Sequence, residues 1–180
     1  MYGHEKQKEQ SRKMIEDALF ELLEVKDYTK LTVSEIAKKA DVSRRTFYRL
    51  YKEKDEVLHI YFGRLCQEYS SRYGSLKSYD LYQIALDFFS FWYEYKKLLM
   101  LMHKRGLDEF FYYEVSSASI DVVKKRMKER CKDFRGMEYF AYYSSGGFLL
   151  LLQHWVVDGM KETPEQYAKI VSESLLRFVQ

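Results

Sequence analysis

Arg44, Arg45 and Arg49 stand within six residues of one another, interleaved with Thr46 and Tyr48, in the run SRRTFYRLY (43–51). A guanidinium offers a planar fork of N–H donors that matches the paired oxygens of a phosphate, or O6 and N7 of guanine, bidentately. Threonine adds a hydroxyl and a methyl, and tyrosine a phenolic hydroxyl. The chemistry is recognition of an anion or of a hydrogen-bonding edge, with no bond made or broken. A short helix bearing three arginines is equally what a solvated face looks like, so the surrounding elements must decide.

Thr32-Val33-Ser34-Glu35 has the form of a capping box, with Thr32 as N-cap and Glu35 reaching back. The brief helix it opens buries Val33, Ile36, Ala37 and Ala40. Ser43 is a second N-cap, opening a helix whose inner face is Phe47 and Leu50. Asp41 falls at the tight turn between the two, where a left-handed backbone favours glycine and tolerates Asp or Asn. Upstream, Ile15, Ala18, Leu19, Leu22 and Leu23 mark an amphipathic helix over about 9–25. Thr32 to Tyr51 thus has the grammar of a helix-turn-helix. Its outward face is Arg44, Arg45, Thr46, Tyr48 and Arg49, and in such a motif the second helix enters the major groove of DNA. Charge agrees: from Lys38 to Lys54 seven cations oppose two anions, leaving +5, whereas the whole chain carries +3.

The stretch LTVSEIAKKADVSRRTFYRLYKEKDEVL (31–58), preceded by an amphipathic helix ending in Tyr28, resembles the N-terminal domain of the tetracycline-repressor-like (TetR) transcription regulators. The run S-x-x-T-F-Y at 43–48 and Lys54 at the start of the fourth helix are its most specific parts. The resemblance implies a DNA-binding site at Thr32, Ser43, Arg44, Arg45, Thr46, Tyr48, Arg49 and Lys54, with Tyr48 and Lys54 clamping phosphates. It also implies a homodimer reading a palindromic operator, acting as a repressor. Asp41 departs from the glycine usual at that turn, and Tyr51 from a common phenylalanine.

Only one proline and eight glycines occur in 180 residues, which favours long helices over a many-turned β architecture. The fold expected is all-α with about nine helices: a three-helix head over 1–53 and a helical ligand-binding and dimerisation body over 54–180. The run SSRYGSLKS (70–78) breaks the periodicity and is a candidate junction. The body is dense in aromatics, and the family resemblance implies a cavity there for a small apolar or aromatic effector. Its candidate lining is Phe62, Trp92, His103, Phe110, Tyr113 and Tyr143. Aromatics at helical spacing are also ordinary core. Gly146-Gly147 within a helix is costly unless another helix approaches closely, which puts Gly147, Leu151 and Trp155 in a dimer interface. Ala168, Val171, Leu175 and Phe178 form the matching stripe on the last helix, completing a four-helix bundle across a two-fold axis. Packing wholly within one chain is the alternative.

Tyr139 to Val157 carries no formal charge over the length that spans a bilayer. Ser144, Ser145, Gly146, Gly147, Gln153 and His154 interrupt it, which favours a helix buried against others. Cys66 and Cys131 form no CxxC pair, and the polar start MYGHEKQKEQ has no apolar core, so a cytoplasmic protein with free thiols is expected. The basic run KKRMKERCK (124–132) reads as solvated surface near a helix C-terminus. The four histidines share no metal-ligand spacing with each other or the cysteines, and no nucleophile elbow, phosphate loop or HExxH occurs. Neither metal, cofactor nor catalysis is therefore expected. A second reading keeps the fold and drops the small ligand, with the protein working as a co-regulator or activator through a protein partner.

Overall fold

A computed structural model describes residues 2–74, 80–130 and 135–179. Nine α-helices and no strand occur among them: α1 (Tyr2–Val25), α2 (Val33–Lys39), α3 (Arg44–Leu50), α4 (Lys54–Tyr73), α5 (Leu81–Glu94), α6 (Lys96–Lys104), α7 (Asp108–Arg130), α8 (Met137–Val157) and α9 (Pro164–Val179). One 3-10 turn, Tyr28–Lys30, joins α1 to the α2 approach. The chain divides into two compact units, Met1–Phe62 and Gly63–Gln180, and α4 runs through the division.

Local chemistry sets several helix ends. Thr32 caps α2 by accepting from the Glu35 amide at 3.3 Å, and the Glu35 carboxylate accepts from the Thr32 amide at 3.0 Å, closing the capping box. Ser43 accepts from the Thr46 amide at 3.0 Å and caps α3. Thr163 and Gln166 bond reciprocally around Pro164, the first residue of α9. Gly159, at φ +86, leads the chain out of α8. Helix α1 begins at Tyr2, seven residues ahead of the start expected near residue 9, because EKQKEQ (5–10) is rich in good helix formers although it has no buried face to reveal it. Helix α4 continues to Tyr73, so the junction expected at 70–78 starts within a helix, and 75–79 lie outside the described residues.

In the first unit Ile15, Leu19 and Leu23 of α1, Ile36 and Ala37 of α2, and Phe47 of α3 are all buried. Glu16 is buried with them, and the Tyr51 hydroxyl donates to its carboxylate at 2.8 Å. The second unit is held by aromatic packing. Trp155 of α8 stacks on Tyr167 of α9, ring centroids 4.7 Å apart and planes 6° from parallel, and meets Phe89 of α5 edge-on at 5.6 Å. Helix α9 packs chiefly on α5, and α8 on α7.

Candidate nucleic-acid interface

Helix α3 is presented by its neighbours. Phe47 and Leu50 anchor its inner side, and the Val42 amide, just ahead of it, donates a hydrogen bond to the Ala37 carbonyl at 3.0 Å. Asp41 makes that turn at φ +52, in the left-handed region. Ser43, Arg45, Thr46, Tyr48 and Arg49 then line one shallow open surface, with Arg44 beside them, its guanidinium 5.9 Å from the Tyr48 ring centre. Arg44, Arg45 and Arg49 are exposed and form no ion pair with any described residue, and Tyr48 is 50% exposed. The Thr46 hydroxyl lies 2.9 Å from the Ser43 hydroxyl that caps the helix. Three guanidinium forks, two hydroxyls and a phenol therefore lie together on one solvent-facing side of α3.

Lys54 sits differently. Its ammonium donates to the carbonyls of Tyr28, at 2.7 Å, and Leu31, at 3.0 Å, and lies 4.3 Å from the Tyr28 ring centre. The Tyr28 hydroxyl donates in turn to Asp55, and burial, then this bond, push its pKa well above the usual tyrosine value. The first turn of α4 is clasped to the loop that leads into α2. Sequence reasoning missed this clasp because its partners lie 23 to 27 residues apart and leave no local signal.

Within the second unit, a cavity of about 290 Å³ opens among α4, α5, α7 and α8. None of the six residues proposed from the sequence as pocket lining is among its described walls. Phe62 and Trp92 are packed in core, and the His103 imidazole lies 3.2 Å from the Asp108 carboxylate at the α6–α7 turn. Phe110 is half-buried, whereas Tyr113 and Tyr143 are 71% and 79% exposed. The walls instead include Phe88, Phe148 and the serines Ser119, Ser144 and Ser145, whose only sequence signal was hydroxyls within apolar helices.

The family described as "Bacterial regulatory proteins, tetR family" matches residues 15–59, and that described as "Transcriptional regulator C-terminal region" matches 79–177, more than half of the chain. The chain belongs to the TetR family of transcriptional regulators. Membership makes it a DNA-binding regulator and not an enzyme. It is 36% identical over 59 residues to the uncharacterised HTH-type transcriptional regulator YxbF of Bacillus subtilis (strain 168). That match takes in 32% of this chain and only 16% of the relative's length. Among solved structures it shares its fold with Lin0861 from Listeria innocua (TM-score 0.73, 18% identity, 96% of this chain and 92% of that one). A regulator of Aquifex aeolicus VF5 aligns at TM-score 0.64 and 19% identity over 93% and 99% of the two chains. The dihydroxyacetone kinase operon activator DhaS aligns at 0.63 and 18% over 93% and 95%.

In this TetR regulator the residues assigned to a dimer interface from sequence divide between two faces. Gly147 and Leu175 are exposed and Leu151 is half-buried, but Trp155, Ala168 and Val171 are buried within the chain. The reason is geometric: each i, i+4 step advances about 40° beyond a full turn, so the row from Gly147 through Leu151 has swung inward by Trp155. The outward apolar row on α8 is Tyr139, Tyr143, Leu150 and Val157, and on α9 Ile170 and Leu176 are exposed as well. The side chain of Phe178, and Cys131 with the end of the basic run 124–132, lie outside the described residues. No helix among the described residues is long and apolar enough to cross a membrane.

Proposed function

We propose that this TetR regulator is a cytoplasmic homodimer that binds a palindromic operator as a repressor and is released by a small molecule held in its second unit. The observation that carries the reading is the outer face of α3, where Arg44, Arg45 and Arg49 stand exposed without acidic partners on a helix capped by Ser43 and anchored by Phe47. Two such heads, about 34–36 Å apart, meet successive major grooves. Thr46, Arg44 and Arg45, near the start of α3, face base edges, and Tyr48 and Arg49 contact backbone phosphates. The exposed apolar row on α8 and α9 supports dimerisation across a two-fold axis. The cavity supports an effector: α4 carries Tyr69 in its wall and Lys54 at its own start, so one helix belongs to both the ligand site and the head. A ligand shifts the operator equilibrium only through different affinities for the two states of that helix.

The test is binding to a palindrome from the DNA flanking the protein's own gene, measured against scrambled duplex. Wild type should prefer the palindrome by about 1,000-fold or more. The double variant Arg44→Ala/Arg49→Ala should lose about 2 kcal/mol or more of that affinity, with circular dichroism and oligomeric state unchanged. Equal affinity in the double variant sinks the assignment of α3. A second reading reverses the sign of regulation. One fold neighbour is, by its name, an operon activator, and a partner-assisted activator would need no effector. Deleting the gene separates the two: expression from the bound promoter rises for a repressor and falls for an activator.

A further inference from the structure

The cavity of the second unit has a chemical signature of its own. No Asp, Glu, Lys, Arg or His is among its described walls, which are apolar side chains with Tyr69 and three serines. Two of those serines, Ser119 and Ser145, are buried. Adjacent serines on α8 behave differently. Ser144 donates to the Phe140 carbonyl at 2.7 Å, one turn back. Ser145, only 3% exposed, has a buried hydroxyl with no hydrogen-bond partner among the described residues. A buried hydroxyl left unpaired is unfavourable, so a group that supplies its partner gains from entering. Phe140, nearly half exposed, marks the mouth, and Phe88 and Phe148 form the apolar interior. At about 30 Å³ per water-sized atom, 290 Å³ holds on the order of ten non-hydrogen atoms.

Building on the effector reading above, we infer that this cavity receives a neutral, mostly apolar molecule of about ten non-hydrogen atoms, with one hydroxyl or carbonyl group bonded to Ser145. Carboxylates and ammonium ions are rejected, because an ion entering such a site loses its hydration and finds no counter-charge among the described walls. The site selects on charge first and on the single polar group second.

Titration of the full-length protein with four probes of matched size, 1-nonanol, n-decane, octanoate and octylammonium, tests this by calorimetry at neutral pH. 1-Nonanol should bind saturably at one site per chain, at least about tenfold tighter than either ion. Ser145→Ala keeps the cavity and removes the hydroxyl. It should weaken 1-nonanol about fivefold, the equivalent of ~1 kcal/mol, and leave n-decane unaffected. Ser145→Phe should fill the space and abolish both. The inference is overturned if octanoate or octylammonium matches 1-nonanol, if no probe binds, or if Ser145→Ala binds 1-nonanol as wild type does. That last comparison stands even if Ser145→Phe fails to fold. Operator binding is read separately. If 1-nonanol binds as stated but operator affinity does not move, the ligand class holds and the effector reading falls. If a charged molecule instead releases the operator, the effector reading holds and this ligand class falls.

Discussion

Asp41 and Met160 are the two non-glycine residues with positive φ among those described, and each is held there by different surroundings. Met160 is fully buried. Its amide reaches the Trp155 carbonyl at 2.7 Å, and its own carbonyl accepts from Lys96 at 2.6 Å, so packing and hydrogen bonds fix its backbone. Asp41 is exposed, with only its amide bonded, to Lys38 at 3.2 Å, as the chain turns from α2 into α3. A left-handed conformation costs an L-residue about 1–2 kcal/mol, and glycine gives back about 0.5–1 of that relief through its freer unfolded chain. Asp41→Gly should therefore stabilise the protein by about 0.5–1 kcal/mol, read as a higher urea midpoint with an unchanged slope. A lower midpoint would mean that the carboxylate offsets its own backbone. The turn itself was legible in the sequence because the polar residue stood between two capped apolar runs.

At the scale of elements, α2 is tied to α1 through its own cap. The Lys26 ammonium donates to Glu35 at 2.6 Å, and Glu35 also accepts from the Thr32 amide and hydroxyl. Lys26 first, then the Thr32 amide and hydroxyl, hold the Glu35 carboxyl down at about 2. A carboxyl lowered by folding stabilises the native state above its unfolded value of 4.5, and that stabilisation is lost as pH falls towards 2. Thermal scans between those limits should show a declining midpoint, and Glu35→Gln should flatten this part of the decline. An identical profile in the variant would remove Glu35 from the account. The cap was legible because both partners sit within one turn. By contrast, Lys26 to Glu35, Tyr51 to Glu16 and Lys54 to Leu31 span 9, 35 and 23 residues, and pairs of that reach come only with the tertiary fold. The register of α8 was misjudged for a related reason. Two four-residue steps, from Gly147 to Trp155, slide about 80° off their own face, and the Trp155–Tyr167 stack reveals where the core begins.

For the whole molecule, the all-helical class and the head were legible because caps, a turn and apolar spacing coincide in one stretch, whereas the cavity needs three-dimensional packing to leave a void. If Leu150 and Ile170 lie in the proposed dimer interface, replacing both by glutamate should yield monomers at micromolar concentration by light scattering, with helicity retained. Operator affinity should fall with it, and a dimer unchanged in mass would move the interface elsewhere. The clasp at Lys54 bears on the electrostatics of the DNA complex. Two of the three ammonium donors of Lys54 are already engaged by backbone carbonyls, so this charge displaces few of the cations condensed on a duplex. Plots of log affinity against log salt should therefore keep their slope in Lys54→Met, but become shallower by about 0.9 per head in Arg49→Met. The +5 of the 38–54 window thus overstates the charge each head offers a duplex, since Lys54 is held by backbone carbonyls and Lys39 is paired with Glu21 at 2.7 Å.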